Sequence, residues 1–214
     1  MELFVTRPQH DPTTFYLSKW VELVFSICRE KGIKITDFEK HRATASEVTK
    51  FLKNKNPDLV VFNGHGDSET ITGHNNEVLI KNGKNQDLLK GQIVYAVACD
   101  SASILGMESI KSGTIAFIGY ETSFIFAYNP NTTANPTKDE MAQPVFAASN
   151  EVLLSLIKGN SVQESYEKSQ STFDKWVKKL QRSDAPPEAQ HILMTLYWDK
   201  TAQVFHGDKN AKLV

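Results

Sequence analysis

Two short stretches of this chain are apolar on every side at once. Residues 59–62 read Leu-Val-Val-Phe and residues 93–98 read Ile-Val-Tyr-Ala-Val-Ala, with no charge in either. A strand with one wet face alternates apolar and polar residues, whereas an unbroken apolar run fits a strand covered on both faces. That condition is met in a parallel sheet lying between two layers of helices. Strand signals at 2–6, 33–38, 59–63, 93–98 and 114–119 interleave with helical spacing at 13–31, 44–54 and 102–112, the order that builds such a sheet. The expected fold class is therefore α/β, with a mostly parallel central sheet and helices on both faces.

The remaining segments fill in around that frame. The 13–31 stretch carries Phe15, Leu17, Trp20, Leu23, Val24 and Ile27 at helical spacing, and Gly32 ends it. Residues 69–81 alternate around Gly73-His74-Asn75-Asn76 and read as a hairpin with His74 at a solvated tip. A polar loop rich in Asn, Thr and Pro spans 127–138, long enough to suggest a functional or mobile role. Helices are expected at 140–158 and 162–181, then two short strands at 192–198 and 202–206. No composition break divides the chain, so one domain over 1–214 is expected.

Charge excludes some functions. With 24 basic and 25 acidic residues the net charge is -1, which offers no surface for nucleic acid or for an anionic membrane. No apolar run approaches the ~20 residues of a membrane-spanning helix. The chain opens on a strand rather than a leader, so a cytoplasmic location is expected. In that setting the two cysteines are not expected to pair. Cys28 falls in an apolar helical stretch and reads as a small buried hydrophobe.

Cys99 reads differently. Both apolar strands end in polar residues: Asn63-Gly64-His65-Gly66-Asp67 after the first, Cys99-Asp100-Ser101 after the second. Sites in open parallel sheets collect at the carboxyl ends of strands, where the loops converge. If the two strands are neighbours, ~5 Å apart, an imidazole and a thiol share one cleft. A thiol becomes a good nucleophile on ionisation, which the N-terminus of a following helix favours; a helix is expected to start at Ala102. The N–H groups of Gly66 and Cys99 are candidate donors to an oxyanion, and His65 a candidate proton donor to a departing amine. His65, Asp67 and His74 are close in sequence, but no second cluster completes a metal set, so neither metal nor cofactor is expected.

A hydrophobic strand ending in His-Gly, followed by one ending in Ala-Cys, resembles the clan of caspases, gingipains, clostripain, legumains and CHAT-domain proteases. Here the pair is His65-Gly66 and Ala98-Cys99, and Cys99 follows His65 by 34 residues. That spacing looks more like the gingipain branch than the caspases, whose His lies ~50 residues upstream. The caspase peptide Gln-Ala-Cys-x-Gly is absent: Val97 stands for the Gln and Ser101 for the last Gly. The resemblance implies a caspase-like three-layer fold and peptide-bond hydrolysis through a thioester. It implies Cys99 as nucleophile, His65 as general acid/base, and Gly66 with Cys99 as oxyanion hole.

Two other readings stay open. A DJ-1 or glutaminase-like hydrolase also uses a strand-to-helix Cys, but places its His after the Cys; here Ala98 precedes Cys99, and only His191 and His206 lie downstream. A catalytically silent module could keep the fold and both residues. Specificity is expected to come from Arg7 and Asp11 after the first strand, and from Tyr120 and Glu121 after the strand at 114–119. Asp11 or Glu121 would select Arg or Lys before the scissile bond, and Arg7 would select Asp.

Overall fold

The structure, a computed structural model, describes residues 1–213. In chain order the elements are β1 (Glu2–Arg7), α1 (Pro12–Glu22), α2 (Phe25–Glu30), β2 (Lys34–Glu39), α3 (Ala45–Asn54), β3 (Leu59–Asn63), β4 (Thr70–Thr72), β5 (Val78–Lys81), β6 (Ile93–Val97), α4 (Leu105–Lys111), β7 (Ala116–Tyr120), α5 (Gln143–Ile157), α6 (Val162–Leu180), α7 (Ala189–Ala202) and β8 (Gln203–Gly207). Six strands form one sheet in the order β2-β1-β3-β6-β7-β8, and β4 and β5 form a separate hairpin. All neighbours in the large sheet run parallel except β8, which is antiparallel to β7.

Strand residues divide by parity between two cores. Leu3, Val5, Leu59, Val61, Ile93, Tyr95, Ala116 and Ile118 pack with side chains of α1, α2, α5, α6 and α7 on one face. Phe4, Val60, Phe62, Val94, Ala96 and Phe117 pack with α3, α4 and the hairpin on the other. Burying a large apolar side chain contributes about 1.5–3 kcal/mol, and every residue of β3 and β6 is buried. This is the three-layer α/β arrangement expected from the unalternating strands.

Four segments depart from expectation. The helix at 13–31 is two helices, because the chain tightens at Leu23 and Val24, whose N–H groups bond three residues back to Trp20 and Val21. That turn leaves Leu23 exposed while Val24 and Phe25 stay buried. The helix expected from Ala102 begins at Leu105. The strand expected at 192–198 is the middle of α7, whose buried residues Ala189, Ile192, Leu196 and Asp199 recur at helical spacing. The 127–138 loop is pinned: Asp139 accepts from the Tyr16 hydroxyl at 2.7 Å and from the N–H of Asn129 at 2.8 Å and Met141 at 3.0 Å. No described helix is long and apolar enough to cross a membrane.

Candidate active site

β3 and β6 are adjacent, with Asn63 opposite Val97, and Gly64 extends the pairing by donating to the Val97 carbonyl at 3.2 Å. The two strands therefore leave the sheet side by side, and His65 and Cys99 come out at one edge. The hairpin holds the first of them. Thr72 N–H donates to the His65 carbonyl at 2.9 Å, and Asp67 N–H to the Thr70 carbonyl at 3.1 Å. Gly66 is wedged between the hairpin and the Cys99 backbone. A Cβ there would lie 2.8 Å from the Thr70 carbonyl oxygen and 3.0 Å from that of Cys99. Only a residue without Cβ lets the two strand ends close on each other.

Past β6 the backbone turns sharply. Asp100 has φ 57°, the left-handed region that is uncommon for a residue with a side chain. Asp100 N–H donates to Thr122 O at 3.1 Å, Ala102 N–H to Tyr120 O at 3.1 Å, and Ser101 Oγ to Ala98 O at 3.0 Å. These bonds fix the turn against the end of β7 and set Cys99 Sγ 3.9 Å from the Phe124 carbonyl. Among the described residues, neither Gly66 N–H nor Cys99 N–H has a backbone acceptor.

Because α4 starts only at Leu105, its N-terminus does not abut Cys99, and the expected lowering of the thiol pKa is not found. Burial instead pushes the Cys99 thiol above its ordinary value, and the Asp100 carboxylate adds to this. Cys28 is fully buried, and its thiol is pushed up to about 11 by burial. The two thiols are unpaired.

The sequence reading missed a partner for His65. Asp11 Oδ2 lies 2.6 Å from His65 Nε2. Asp11 is also the N-cap of α1, where Oδ1 accepts from Thr14 N–H at 2.8 Å. Burial pushes the Asp11 carboxyl up, but the Thr14 N–H and the His65 contact outweigh it and hold the carboxyl below its usual range. The sequence signal was the cap itself, an Asp before Pro-Thr-Thr at a helix start just after the first strand. That signal fixes Asp11 at the same sheet edge as His65.

Of the residues expected to shape specificity, Glu121 is exposed and lines a cavity, Asp11 is partly exposed but engaged by His65, and Arg7 and Tyr120 are buried. Arg7 is 3% exposed and fully engaged: Nε and Nη2 hold Asp37 at 2.9 and 2.5 Å, and Nη1 reaches Glu22 at 3.3 Å. Its charge is neutralised before it could reach a substrate. Tyr120 is also buried, its hydroxyl 3.0 Å from Ser149 Oγ in a cluster with Tyr95 and Gln203 that joins the sheet to α5. Glu121 lines a cavity of about 600 Å³ with Thr122, Met194, Tyr197, Trp198, Thr201 and Ala202. Trp198 Nε1 donates to Ser123 O at 2.7 Å, so α7 closes on the segment that runs past Cys99. Trp198 and Tyr197 lie on the exposed side of a helix whose period is blurred in sequence, so no local signal marks them.

The fold is similar to that of solved structures. The Arg-specific cysteine proteinase gingipain R (RgpB) matches 99% of this chain and 47% of its own, with a TM-score of 0.65 and 13% identity. The complex of Porphyromonas gingivalis RgpB pro- and mature domains matches 100% of this chain and 48% of its own, with a TM-score of 0.63 and 12% identity. The chain spans about half the length of these structures. No family model and no curated protein matches it. What is shared is architecture: the chain has the caspase-like α/β fold seen in gingipain R.

Proposed function

We propose that the protein is a cysteine endopeptidase, nearest in motif spacing to the gingipain branch, with Cys99 as nucleophile, His65 as general acid/base and Asp11 as the residue that orients His65. The observation that carries this reading is the juxtaposition at one sheet edge of a partly buried thiol, an imidazole tied to a carboxylate, and two backbone N–H groups without backbone acceptors.

The Cys99 thiolate attacks the peptide carbonyl carbon, and the oxyanion is received by the N–H groups of Gly66 and Cys99. As the C–N bond breaks, the amine takes a proton from His65 and a thioester remains on Sγ. Water, deprotonated by His65, then releases the acid. Asp11 Oδ2 occupies Nε2, which leaves Nδ1 as the working nitrogen. Burial favours the protonated thiol, so the reaction depends on His65 accepting the thiol proton.

The cavity beside Glu121 supports a preference for Lys or Arg before the scissile bond. A long aliphatic stem packs on Trp198 and Tyr197, and its cation meets the Glu121 carboxylate and the aromatic faces. Asp11 no longer contributes to that preference, since its carboxylate is engaged by His65. A positional-scanning peptide library, assayed under reducing conditions with and without calcium, tests the reading. Cleavage by wild type that is lost in Cys99→Ala is expected; a library left uncut by folded wild type would favour a catalytically silent module.

A further inference from the structure

Three side chains around the orienting carboxylate converge in a way that a proton relay alone does not require. The Asp11 carboxylate divides its work: Oδ1 is fixed by Thr14 N–H and hydroxyl at 2.8 and 3.0 Å, while Oδ2 faces two imidazoles. His65 Nε2 lies 2.6 Å from Oδ2, and His10 Nε2 lies 3.3 Å from the same oxygen. One donor atom from each of His10, Asp11 and His65 lies within 4.8 Å of the others. A single oxygen needs only one imidazole to orient, so the second ring is in surplus for catalysis.

His10 is a built-in side chain. It is 10% exposed, and Asn76 Oδ1 lies 3.2 Å from its Nε2. Its ring stands edge-on to that of His74, with centroids 5.5 Å apart. The Nδ1 atoms of both rings are buried and without a hydrogen-bond partner. His10 is therefore engaged only through Nε2, the nitrogen that faces Asp11 Oδ2 and Asn76 Oδ1, and that is the atom it offers to a ligand. His74 is thus no solvated hairpin tip: its N–H donates to Ala43 O at 2.8 Å and its ring packs on His10.

We propose that His10, Asp11 and His65 form a binding site for a divalent transition metal of the zinc class, and that the bound metal silences the peptidase. The silencing rests on the proposed function; the binding does not. Two imidazole nitrogens and a carboxylate oxygen are a donor set for zinc, whereas calcium and magnesium take mainly oxygen ligands. Around zinc, with bonds of about 2.0–2.2 Å, tetrahedral ligand atoms stand about 3.3–3.5 Å apart. The His10–Asp11 separation already fits, and the His65–Asp11 contact opens as the metal replaces the hydrogen bond. Three protein ligands leave a fourth position for water.

The consequence for His65 follows from its lone pairs. A metal on Nε2 confines the remaining proton to Nδ1 and holds the ring neutral. His65 then cannot accept the Cys99 proton or become an imidazolium that serves the leaving amine, and Asp11 no longer orients it. The metal takes Nε2 from Asp11 and so locks the proton on Nδ1, the nitrogen that catalysis uses, while Cys99 takes no part in the site.

Zinc alone, titrated calorimetrically into metal-stripped full-length protein, tests the site. One equivalent is expected in wild type and equally in Cys99→Ala, with affinity reduced at least tenfold in His10→Ala. Absence of stoichiometric binding, affinity unchanged in His10→Ala, or affinity lost in Cys99→Ala would each overturn the proposal. Cobalt(II) added to wild type guards against a misfolded variant. It should give the visible bands of a nitrogen and oxygen site with no thiolate charge-transfer band, and such a band would place the metal on Cys99 instead. In peptide hydrolysis, His10→Ala should need at least tenfold more zinc than wild type for half inhibition, and equal sensitivity would refute the silencing. A chain that binds zinc but cuts no peptide would refute the peptidase and leave the site standing.

Discussion

At the scale of single residues, the site sets burial against ionisation. Both thiols are pushed above their ordinary range, but Cys28 is sealed in the helical layer while Cys99 opens on the cleft. Iodoacetamide should therefore label Cys99 well ahead of Cys28 in native protein, at a rate that climbs through pH 7–9 as thiolate forms. Equal protection of both, read by peptide mass spectrometry, would count against a working nucleophile. Asp11 carries a pH dependence of the opposite sense. Its carboxyl is held below the usual range in the fold, so its contribution to stability is present above the unfolded carboxylate pKa of ~3.9 and is lost as pH falls through the lower folded value. Asp11→Asn keeps the helix cap but loses the charge facing His65. Urea titrations should show wild type more stable than the variant at pH 6, with the difference shrinking as pH falls below the unfolded carboxylate pKa. In activity, the same variant should lose roughly 10²–10⁴-fold in kcat, the range typical of acid–base positioning.

At the scale of elements, the paired ends of β3 and β6 make the site possible, and Gly66 is where they touch. Gly66→Ala drives a methyl between the Thr70 and Cys99 carbonyls, so one strand end must move by several tenths of an ångström. Activity should fall about 100-fold with the global fold retained, measured by kcat/KM beside circular dichroism. Phe62→Ala, deep in the face shared with α3 and the hairpin, should cost about 3–5 kcal/mol in denaturant unfolding instead. β3 and β6 were legible because burial on both faces leaves a signature in composition. The turn after Cys99 was not, since nothing in Cys99-Asp100-Ser101-Ala102 announces that Asp100 takes a positive φ and delays α4 to Leu105. α7 was misread because its buried face includes Thr195 and Asp199 while Met194, Tyr197 and Trp198 point outward, which blurs the helical period. The link between Asp11 and His65 joins residues 54 positions apart, and local pattern does not report such contacts.

At the scale of the whole molecule, the α/β architecture was fully implied by the order of apolar runs, and the likeness to gingipain R is a likeness of that architecture. The proposed specificity surface was the least legible part, because it is assembled from both ends of the chain. Asp11 and Arg7 were read as pocket residues from position alone; packing gives the first to His65 and the second to Asp37, Glu22 and Glu39. Glu121 and the aromatic wall from α7 remain, across the segment 121–124 from Cys99. The most direct measurement is cleavage of a positional-scanning peptide library by wild type and Cys99→Ala, each confirmed folded. Hydrolysis by wild type, strongest after Lys or Arg and absent in Cys99→Ala, is the predicted result; hydrolysis that persists in Cys99→Ala, or none with either protein, would contradict the account.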